Sequence, residues 1–264
     1  MMDPAKIPCA TEVLLAPPQA VAARIALFLD IDGTLLDFAA HPDGVIVAPD
    51  LSDNLRAVGR VLDGALALLS GRSLRRIDEL LGVPELAAAG SHGAELRRAG
   101  GAIQRQTRDA PGMATLRAYA RTLLADWPAV VIEDKPDAIA LHFRAIPAAR
   151  DAVHDAARRL TSAAGPRYRL QYGDCVVELR GAGADKGDAL TRLMQEAPFA
   201  GRTPWMIGDD LTDEHAFAAA MQAGGIGVIV GNRRPTCARH AFADPAEVRA
   251  WIARLARTRR SPDG

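Results

Sequence analysis

Cysteine is scarce in this sequence, and the few cysteines present form no recognisable framework. There are three, Cys9, Cys175 and Cys237, an odd number at wide spacings and without a C-x-x-C pair. This usage argues against both a disulfide framework and a zinc knuckle, and it fits a reducing compartment.

The sequence also lacks net charge and long apolar runs. Lys+Arg and Asp+Glu both total 32, so no basic excess points to nucleic acid. No stretch reaches the roughly 20 apolar residues of a membrane span, and the opening residues lack the features of a secretory signal. We therefore expect a cytoplasmic protein without nucleic-acid or membrane partners, with residues 1–18 weakly ordered and residues 259–264 forming a solvated tail. Protein partners cannot be predicted from these features.

Lysine is the third scarce residue type. Arginine serves as the default cation, and the only lysines are Lys6, Lys135 and Lys186. A lysine retained against this background either survives by chance or marks a position where a compact ammonium is needed. Lys135 and Lys186 both lie in segments that other features single out below.

Short apolar runs alternate with helical patterns in two separate parts of the chain. The first part has apolar runs at 25–29, 64–70 and 85–90, with helices at 51–62 and 74–81. The second has apolar runs at 204–208 and 226–230, with helices at 186–196, 213–222 and 245–258. Continuous apolar strands that alternate with helices predict an α/β fold with a doubly wound, Rossmann-like parallel sheet. We assign residues 19–107 and 183–258 to this core.

Between these two parts the predicted order of helices and strands changes. A helix at 113–127 leads into two strands in "AVVIEDKPDAIALHFR", and a helix at 148–163 leads into two more in "YRLQYGDCVVELR". This repeat predicts an inserted α+β domain over residues 108–182 with an antiparallel sheet. Alternation places Ile139, Leu141 and Phe143 on the core side. The polar side would carry Glu133, Lys135, His142, Arg144 and Glu178, a set suited to a polyhydroxylated ligand, although such a face is often simply solvated.

The segment "IALFLDIDGTLLD" carries the first chemical signal. Five apolar residues, 25–29, read as a buried strand that ends on Asp30 and Asp32. Residues i and i+2 of an extended segment point the same way, so both carboxylates should emerge together. Paired buried carboxylates are costly unless a cation or a partner compensates them.

Three further segments lie where strands end, and open α/β sheets place their sites at those ends. In "LLSGRS", the hydroxyl of Ser70 and the amides at Gly71 and Arg72 could bind a phosphate, although such a hydroxyl is just as often a helix N-cap. Lys186 opens a helix in "DKG", where its ammonium could neutralise phosphate oxygens. The acids of "IGDDLTDE" would favour Mg²⁺, because hard oxygen ligands suit that ion; they are Asp209, Asp210, Asp213 and Glu214.

These four segments, in this order, resemble the motifs of the haloacid dehalogenase superfamily of phosphatases. The resemblance implies that Asp30 is a nucleophile forming an aspartyl-phosphate and that Asp32 is the general acid and base. It implies that Mg²⁺ lies between Asp30, the backbone carbonyl of Asp32, and Asp209, with Asp213 in the outer shell. It also implies that Ser70 and Lys186 hold the phosphoryl oxygens. The inserted domain resembles the type 2 cap of that superfamily.

Within that superfamily, several segments are similar to trehalose-6-phosphate phosphatases. They are "SGRS", "GSHGAE", "IEDKPDAIALHFR", "VVELR" and "GDDLTDE". The resemblance implies that Glu133, Lys135 and Glu178 of the cap grip the disaccharide, with Arg144 and His92 as further candidates. Two positions depart from the family pattern: Ser91 stands where Asn is usual, and Arg180 lacks the proline that commonly follows.

Other functions remain open at this point. The core motifs do not choose the substrate, so a phosphatase for another sugar or polyol phosphate is the nearest alternative, and a phosphomutase would use the same acid pair. A non-catalytic regulatory protein that binds sugar phosphate is the alternative of a different class. The "RGAGADKG" segment does not meet the spacing of a nucleotide-binding glycine loop, and His41, His154 and His240 show no metal-ligand spacing.

Overall fold

The computed structural model describes residues 14–18, 24–37, 45–105, 112–135, 138–165, 168–173, 175–181 and 185–258. Two compact units form, one from Met1–Arg105 with Asp185–Gly264 and the other from Gln106–Ala184. None of the helices in the described ranges combines the length and apolar character that crossing a bilayer requires. Most of segment 1–18, Cys9, His41 and the tail at 259–264 lie outside the described residues.

The helices and strands follow one another in three stretches of the chain. The first contains β1 (Ile25–Leu29), α1 (Leu51–Val61), β2 (Leu66–Leu69), α2 (Leu74–Leu81), β3 (Ala87–Gly90), β4 (Glu95–Arg97) and β5 (Ile103–Arg105). The second contains α3 (Met113–Leu123), β6 (Val131–Lys135), β7 (Ala138–His142), α4 (Arg150–Ala164), β8 (Tyr168–Gly173) and β9 (Val176–Gly181). The third contains α5 (Lys186–Leu193), β10 (Thr203–Gly208), α6 (Glu214–Gln222), β11 (Ile226–Val230), β12 (His240–Phe242) and α7 (Pro245–Ala256).

The first unit is built on one eight-stranded sheet with the order β12-β11-β10-β1-β2-β3-β4-β5. The six strands from β12 to β3 run parallel, and β4 and β5 extend the sheet antiparallel. The predicted parallel α/β core is therefore confirmed. The antiparallel extension and β12 were not predicted, and Leu15 adds a further bridge beside His240.

Strand β1 lies at the centre of this sheet because its sequence is apolar on both faces. All five of its residues are buried, as expected for a parallel strand covered by helices on both sides. Its backbone pairs with β10 on one side and β2 on the other. The residues that follow β1, β2 and β10 are thus brought to the same edge of the sheet.

The second unit is an antiparallel four-stranded sheet, in the order β6-β7-β9-β8, packed with α3 and α4. Ile139, Leu141 and Val177 lie in its apolar core with Val153 and Leu160 of α4. The predicted α+β character of the insertion is confirmed. Because residues 133, 140 and 178 are directly opposite one another in the register, Glu133 and Glu178 share the other face of the sheet.

Candidate active site

The chain turns sharply just after β1 and presents two acids. Asp30 is buried, with 3% of its surface exposed, and its backbone N–H donates to Ile207 of β10. Gly33 has a φ of 76° and donates to the carbonyl of Leu36, which closes the turn. Asp32 is half-buried at this turn.

The carboxylates of Asp30 and Asp32 engage different cations. Both oxygens of Asp32 accept from the guanidinium of Arg72, at 2.7 Å each. Oδ1 of Asp30 instead accepts from Nζ of Lys186 at 2.6 Å. The sequence predicted the acid pair but not this division, because the partners come from distant segments.

Lys186 joins two buried carboxylates. It opens α5, where Asp185 caps the helix by accepting from the N–H of Asp188 at 2.7 Å. Its Nζ also donates to Oδ1 of Asp213 at 2.7 Å, and the side chains of Lys186 and Asp213 are 3% and 0% exposed. The charges of Asp213 and Asp30 raise the pKa of Lys186 even though burial alone would lower it. A compact ammonium is therefore held charged inside the core.

The loop after β10, residues 209–213, is called the acidic loop below and is organised around Asp213. Its Oδ2 accepts from the backbone N–H groups of Asp209 and Asp210, at 3.0 Å each. A side chain at position 208 would collide with the Asp213 carboxylate, so only Gly208 fits there. Asp210 does not point to this centre, because its Oδ1 accepts from the N–H of Leu211 at 2.5 Å.

Three carboxylates converge at the ends of β1 and β10. One oxygen each of Asp30, Asp209 and Asp213 lies within 4.8 Å of the others. Burial and then the charge of Asp213 raise the pKa of Asp30 well above its ordinary value, although Lys186 acts in the opposite direction. Burial, followed by Asp213, raises the pKa of Asp209 to about 6. The group has three carboxylates against one ammonium and could hold a metal ion.

Ser70 and its neighbours form a second corner of this edge. Ser70 follows β2, is 1% exposed, and its Oγ accepts from the backbone N–H of Arg72 at 3.1 Å. The Ser70 hydroxyl hydrogen is therefore available to donate elsewhere. A Cβ on Gly71 would lie 2.7 Å from the ring of His92, which shows how closely that ring packs on the loop.

His92 is held there by an unusual backbone. Ser91, His92 and Gly93 have φ values of 50°, 56° and 102°, and non-glycine residues adopt this left-handed region at a cost. The N–H of His92 donates to the backbone carbonyl of Ser70 at 2.9 Å, and the N–H of Ser91 donates to the backbone carbonyl of Arg72 at 2.8 Å. The structure thus brings Ser70, Gly71, Arg72 and His92 together, and their role in binding a substrate stays a prediction.

The predicted binding residues of the second unit differ in their exposure and in their position relative to the sheet. Glu133 of β6 is exposed, and its carboxylate lies 2.7 Å from Nε2 of His142. Glu178 of β9 is half-buried. Lys135 ends β6, and its side chain lies outside the described part of the chain. Arg144 lies in the turn after β7 rather than on the sheet face.

Sequence reasoning missed two side chains at the core site. The hydroxyl oxygen of Thr34 lies 3.5 Å from Oδ2 of Asp30 and 3.4 Å from Oδ1 of Asp209, so its hydrogen can be donated to either carboxylate. The position of Thr34 in "DGTLL", directly after the two acids, was the available signal. Arg233 contacts the backbone of the acidic loop. No pattern in "GNRRPT" distinguished it from a surface arginine.

The arrangement defines a class of protein. A parallel sheet whose central strand ends in Asp30-x-Asp32, beside a buried lysine and an acidic loop, is the phosphatase arrangement of the haloacid dehalogenase superfamily. The sequence profile described as trehalose-phosphatase matches residues 28–244, and the chain belongs to that family.

Named relatives agree with this assignment. The chain is 39% identical to the trehalose-6-phosphate phosphatase of Escherichia coli K12 over 242 residues, which covers 92% of this chain and 90% of the relative. It is 40% identical to a probable trehalose-phosphate phosphatase of Sinorhizobium fredii over 232 residues, covering 88% and 87%.

Solved structures share the fold. The C-terminal domain of the Candida albicans trehalose-6-phosphate phosphatase matches with a TM-score of 0.77 at 20% identity, covering 94% of this chain and 99% of that one. An Aspergillus fumigatus trehalose-6-phosphate phosphatase matches with a TM-score of 0.68 at 25% identity, covering 89% and 93%.

Proposed function

We propose that this chain hydrolyses trehalose 6-phosphate to trehalose and inorganic phosphate, the last step of trehalose biosynthesis. The observation that carries the proposal is the buried group of Asp30, Lys186 and Asp213 at the sheet edge, in a chain of the trehalose-phosphatase family. Cytoplasmic location and the absence of a nucleic-acid partner stay predictions from the sequence.

In the proposed reaction Asp30 attacks phosphorus through its carboxylate and forms an aspartyl-phosphate. The sugar oxygen leaves with a proton from Asp32, and Asp32 then takes a proton from the water that attacks the phosphorus. That second attack releases phosphate and restores Asp30. The pair between Arg72 and both Asp32 oxygens fixes the orientation of Asp32, and one of these two contacts must open before Asp32 can carry the proton.

Ser70 and Lys186 are proposed to hold the phosphoryl oxygens. The Ser70 hydroxyl accepts from Arg72 N–H and keeps its own hydrogen for the ligand. The ammonium of Lys186 already faces Asp30, where the phosphoryl group would be transferred. Such donors stabilise the charge that develops on the phosphoryl oxygens.

The donor set fits Mg²⁺, which prefers carboxylate and carbonyl oxygens. Asp30, Asp209 and the backbone carbonyl of Asp32 would hold it, with Asp213 supporting them. When bound, Mg²⁺ would supply positive charge that offsets the repulsion between the anionic substrate and the carboxylates.

Mg²⁺ binding is expected to weaken as the pH falls through about 6. Asp209, whose pKa is about 6 in the metal-free protein, must lose its proton to bind a cation. Each pH unit below that value should weaken the apparent affinity by at least about tenfold, because the pKa of Asp30 is also raised and this ligand binds a proton as well. Isothermal titration calorimetry in two buffers of different ionisation enthalpy would count the proton released.

The same raised pKa predicts the sign of the stability change. Between pH 3.8, the ordinary pKa of an aspartate, and about pH 6, Asp209 is more protonated in the folded metal-free protein than in the unfolded chain. The contribution of Asp209 to the stability of the metal-free protein should therefore fall as the pH rises through that window. The variant Asp209→Asn should remove this change of stability with pH. In the binding experiment, an affinity for Mg²⁺ that does not change with pH would contradict the assignment of Asp209 as a metal ligand.

We propose that Glu133, Lys135 and Glu178 recognise the disaccharide. Support comes from the register, which places Glu133 and Glu178 opposite the same residue, Ala140, on one sheet face. Carboxylates accept from sugar hydroxyls and so could select a ligand with many of them.

The test is phosphate release, with and without Mg²⁺, from trehalose 6-phosphate, glucose 6-phosphate and other sugar phosphates. We expect a strong preference for trehalose 6-phosphate, and Glu133→Gln should reduce kcat/KM for it by about 10-fold to 100-fold. Asp126→Asn, the same charge change at an exposed turn of this unit, serves as the control. A broad preference that Glu133→Gln leaves unchanged would favour a phosphatase for another sugar or polyol phosphate.

A further inference from the structure

One arginine outside the four motifs is bonded to the loop that carries Asp209. Arg233 follows β11, the neighbour of β10 in the sheet. Its Nε donates to the backbone carbonyl of Asp209 at 3.1 Å and its Nη2 to that of Asp210 at 3.3 Å. Its Nη1 donates to the carbonyl of Pro235 at 3.1 Å. One guanidinium therefore links two consecutive peptide groups of the acidic loop to the segment after β11.

Glu214 completes this link. Its Oε1 pairs with the guanidinium of Arg233, and its Oε2 accepts from the backbone N–H of Cys237 at 2.7 Å. The Glu214 side chain is 12% exposed and that of Arg233 is 28% exposed, so water competes only weakly for these contacts. Glu214 is thus directed to Arg233 and Cys237, and the carboxylate group that could hold a metal consists of Asp30, Asp209 and Asp213.

The contacts fix Asp209 from both sides. Its N–H donates to Oδ2 of Asp213, and its carbonyl accepts from Arg233. With both peptide groups held, the direction in which the Asp209 side chain leaves the backbone is determined. The other contacts of the loop come from within it: the Asp213 carboxylate accepts from the N–H groups of Asp209 and Asp210, and the N–H of Asp213 donates to the carbonyl of Asp210. Arg233 adds the tie from the loop to the neighbouring segment after β11.

We propose that Arg233, with Glu214, is a positioning residue for the metal site: it holds the loop backbone so that the Asp209 carboxylate meets those of Asp30 and Asp213. The inference rests on the metal site of the proposed function. Arg233 is not a catalytic residue, since it acts through Asp209. Groups that orient metal ligands commonly contribute 10-fold to 100-fold to metal affinity.

The test measures metal binding directly on the purified full chain. Mn²⁺ binding without substrate would be followed by electron paramagnetic resonance for the wild type, Arg233→Ala and Arg233→Lys. We expect Arg233→Ala to weaken binding by about 10-fold or more. Arg233→Lys should lie between, because one ammonium cannot reach two carbonyls and a carboxylate together. Asp209→Asn identifies which bound Mn²⁺ belongs to this site.

A second readout separates positioning from general destabilisation. Excess Mg²⁺ should restore kcat of Arg233→Ala to within about threefold of the wild type, since only the metal affinity is lowered. Arg239→Ala, an exposed arginine of the same segment, should leave Mn²⁺ affinity unchanged. If Arg233→Ala leaves Glu214 unpaired and does not fold, the double variant Arg233→Ala/Glu214→Gln removes that charge and takes its place.

The inference is overturned if the Arg233 variants bind Mn²⁺ as the wild type does while their melting temperatures fall. It is overturned equally if excess Mg²⁺ does not restore kcat, or if the wild type has no Mn²⁺ site that Asp209→Asn removes. Because binding is measured without substrate, failure to hydrolyse trehalose 6-phosphate would refute the proposed function separately.

Discussion

Replacing Asp30 with asparagine is expected to lower phosphate release from trehalose 6-phosphate by on the order of 10⁴-fold or more. Asparagine keeps the size of the side chain but cannot form the aspartyl-phosphate. The residue is buried at the end of the central strand, with its carboxylate 2.6 Å from the Lys186 ammonium, so the variant removes a nucleophile whose position the fold determines.

The measurement is a phosphate assay together with a thermal melt and ligand protection. Asp37→Asn, which changes an exposed acid of the same segment, should retain normal turnover. Near-normal turnover by Asp30→Asn would refute the mechanism. A wild type that is protected by sugar phosphate but never releases phosphate would instead favour the non-catalytic regulatory alternative.

Replacing Lys186 with methionine is expected to produce the second large effect, on folding as well as activity. The ammonium is 3% exposed and is the cation bonded to both Asp30 and Asp213. Removing one partner of a buried ion pair costs about 3–5 kcal/mol, because charges then remain uncompensated in the core. Turnover should fall by about 10³-fold or more as the phosphoryl group loses its bound cation.

Urea unfolding at neutral pH in metal-free buffer would measure the loss of stability. The loss should be smaller at lower pH, because the raised pKa of Asp30 lets that carboxyl take up a proton and lose its charge. Arg192→Met removes a partly exposed cation from the same helix and should cost less than about 1 kcal/mol. Equal destabilisation by both variants would contradict a special role for the buried lysine.

The strands that the sequence predicted best are those formed by long, continuous apolar runs that are fully buried. Strand β1 and strands β2, β10 and β11 were predicted because continuous apolar runs indicate parallel strands covered on both faces. Strands β4, β5 and β12 have three residues each, too few to show an alternation, and they are stabilised by the sheet edge that they join.

Site residues were predictable where the strand ends converge, and their partners were not. Asp30, Ser70 and Asp209 follow from the rule that strand ends share one edge of the sheet. Lys186 does not follow a strand of that sheet, contrary to the prediction, because the strand before it is β9 of the second unit; its signal was a retained lysine at a helix start. The pairing of Asp32 with Arg72 joins residues 40 positions apart and depends on side-chain direction. No local pattern encodes it. The catalytic and binding roles of these residues stay predictions.

The division of the chain has a consequence for how such proteins diversify. The unit Gln106–Ala184 is one uninterrupted stretch, and the core resumes at Asp185. A recombination event with only two crossovers could therefore exchange the whole unit, and any ligand selectivity that it carries, for that of a relative. The downstream junction is the delicate one. Asp185 caps the helix that carries Lys186, so an exchange that replaced Asp185 would disturb the proposed reaction centre.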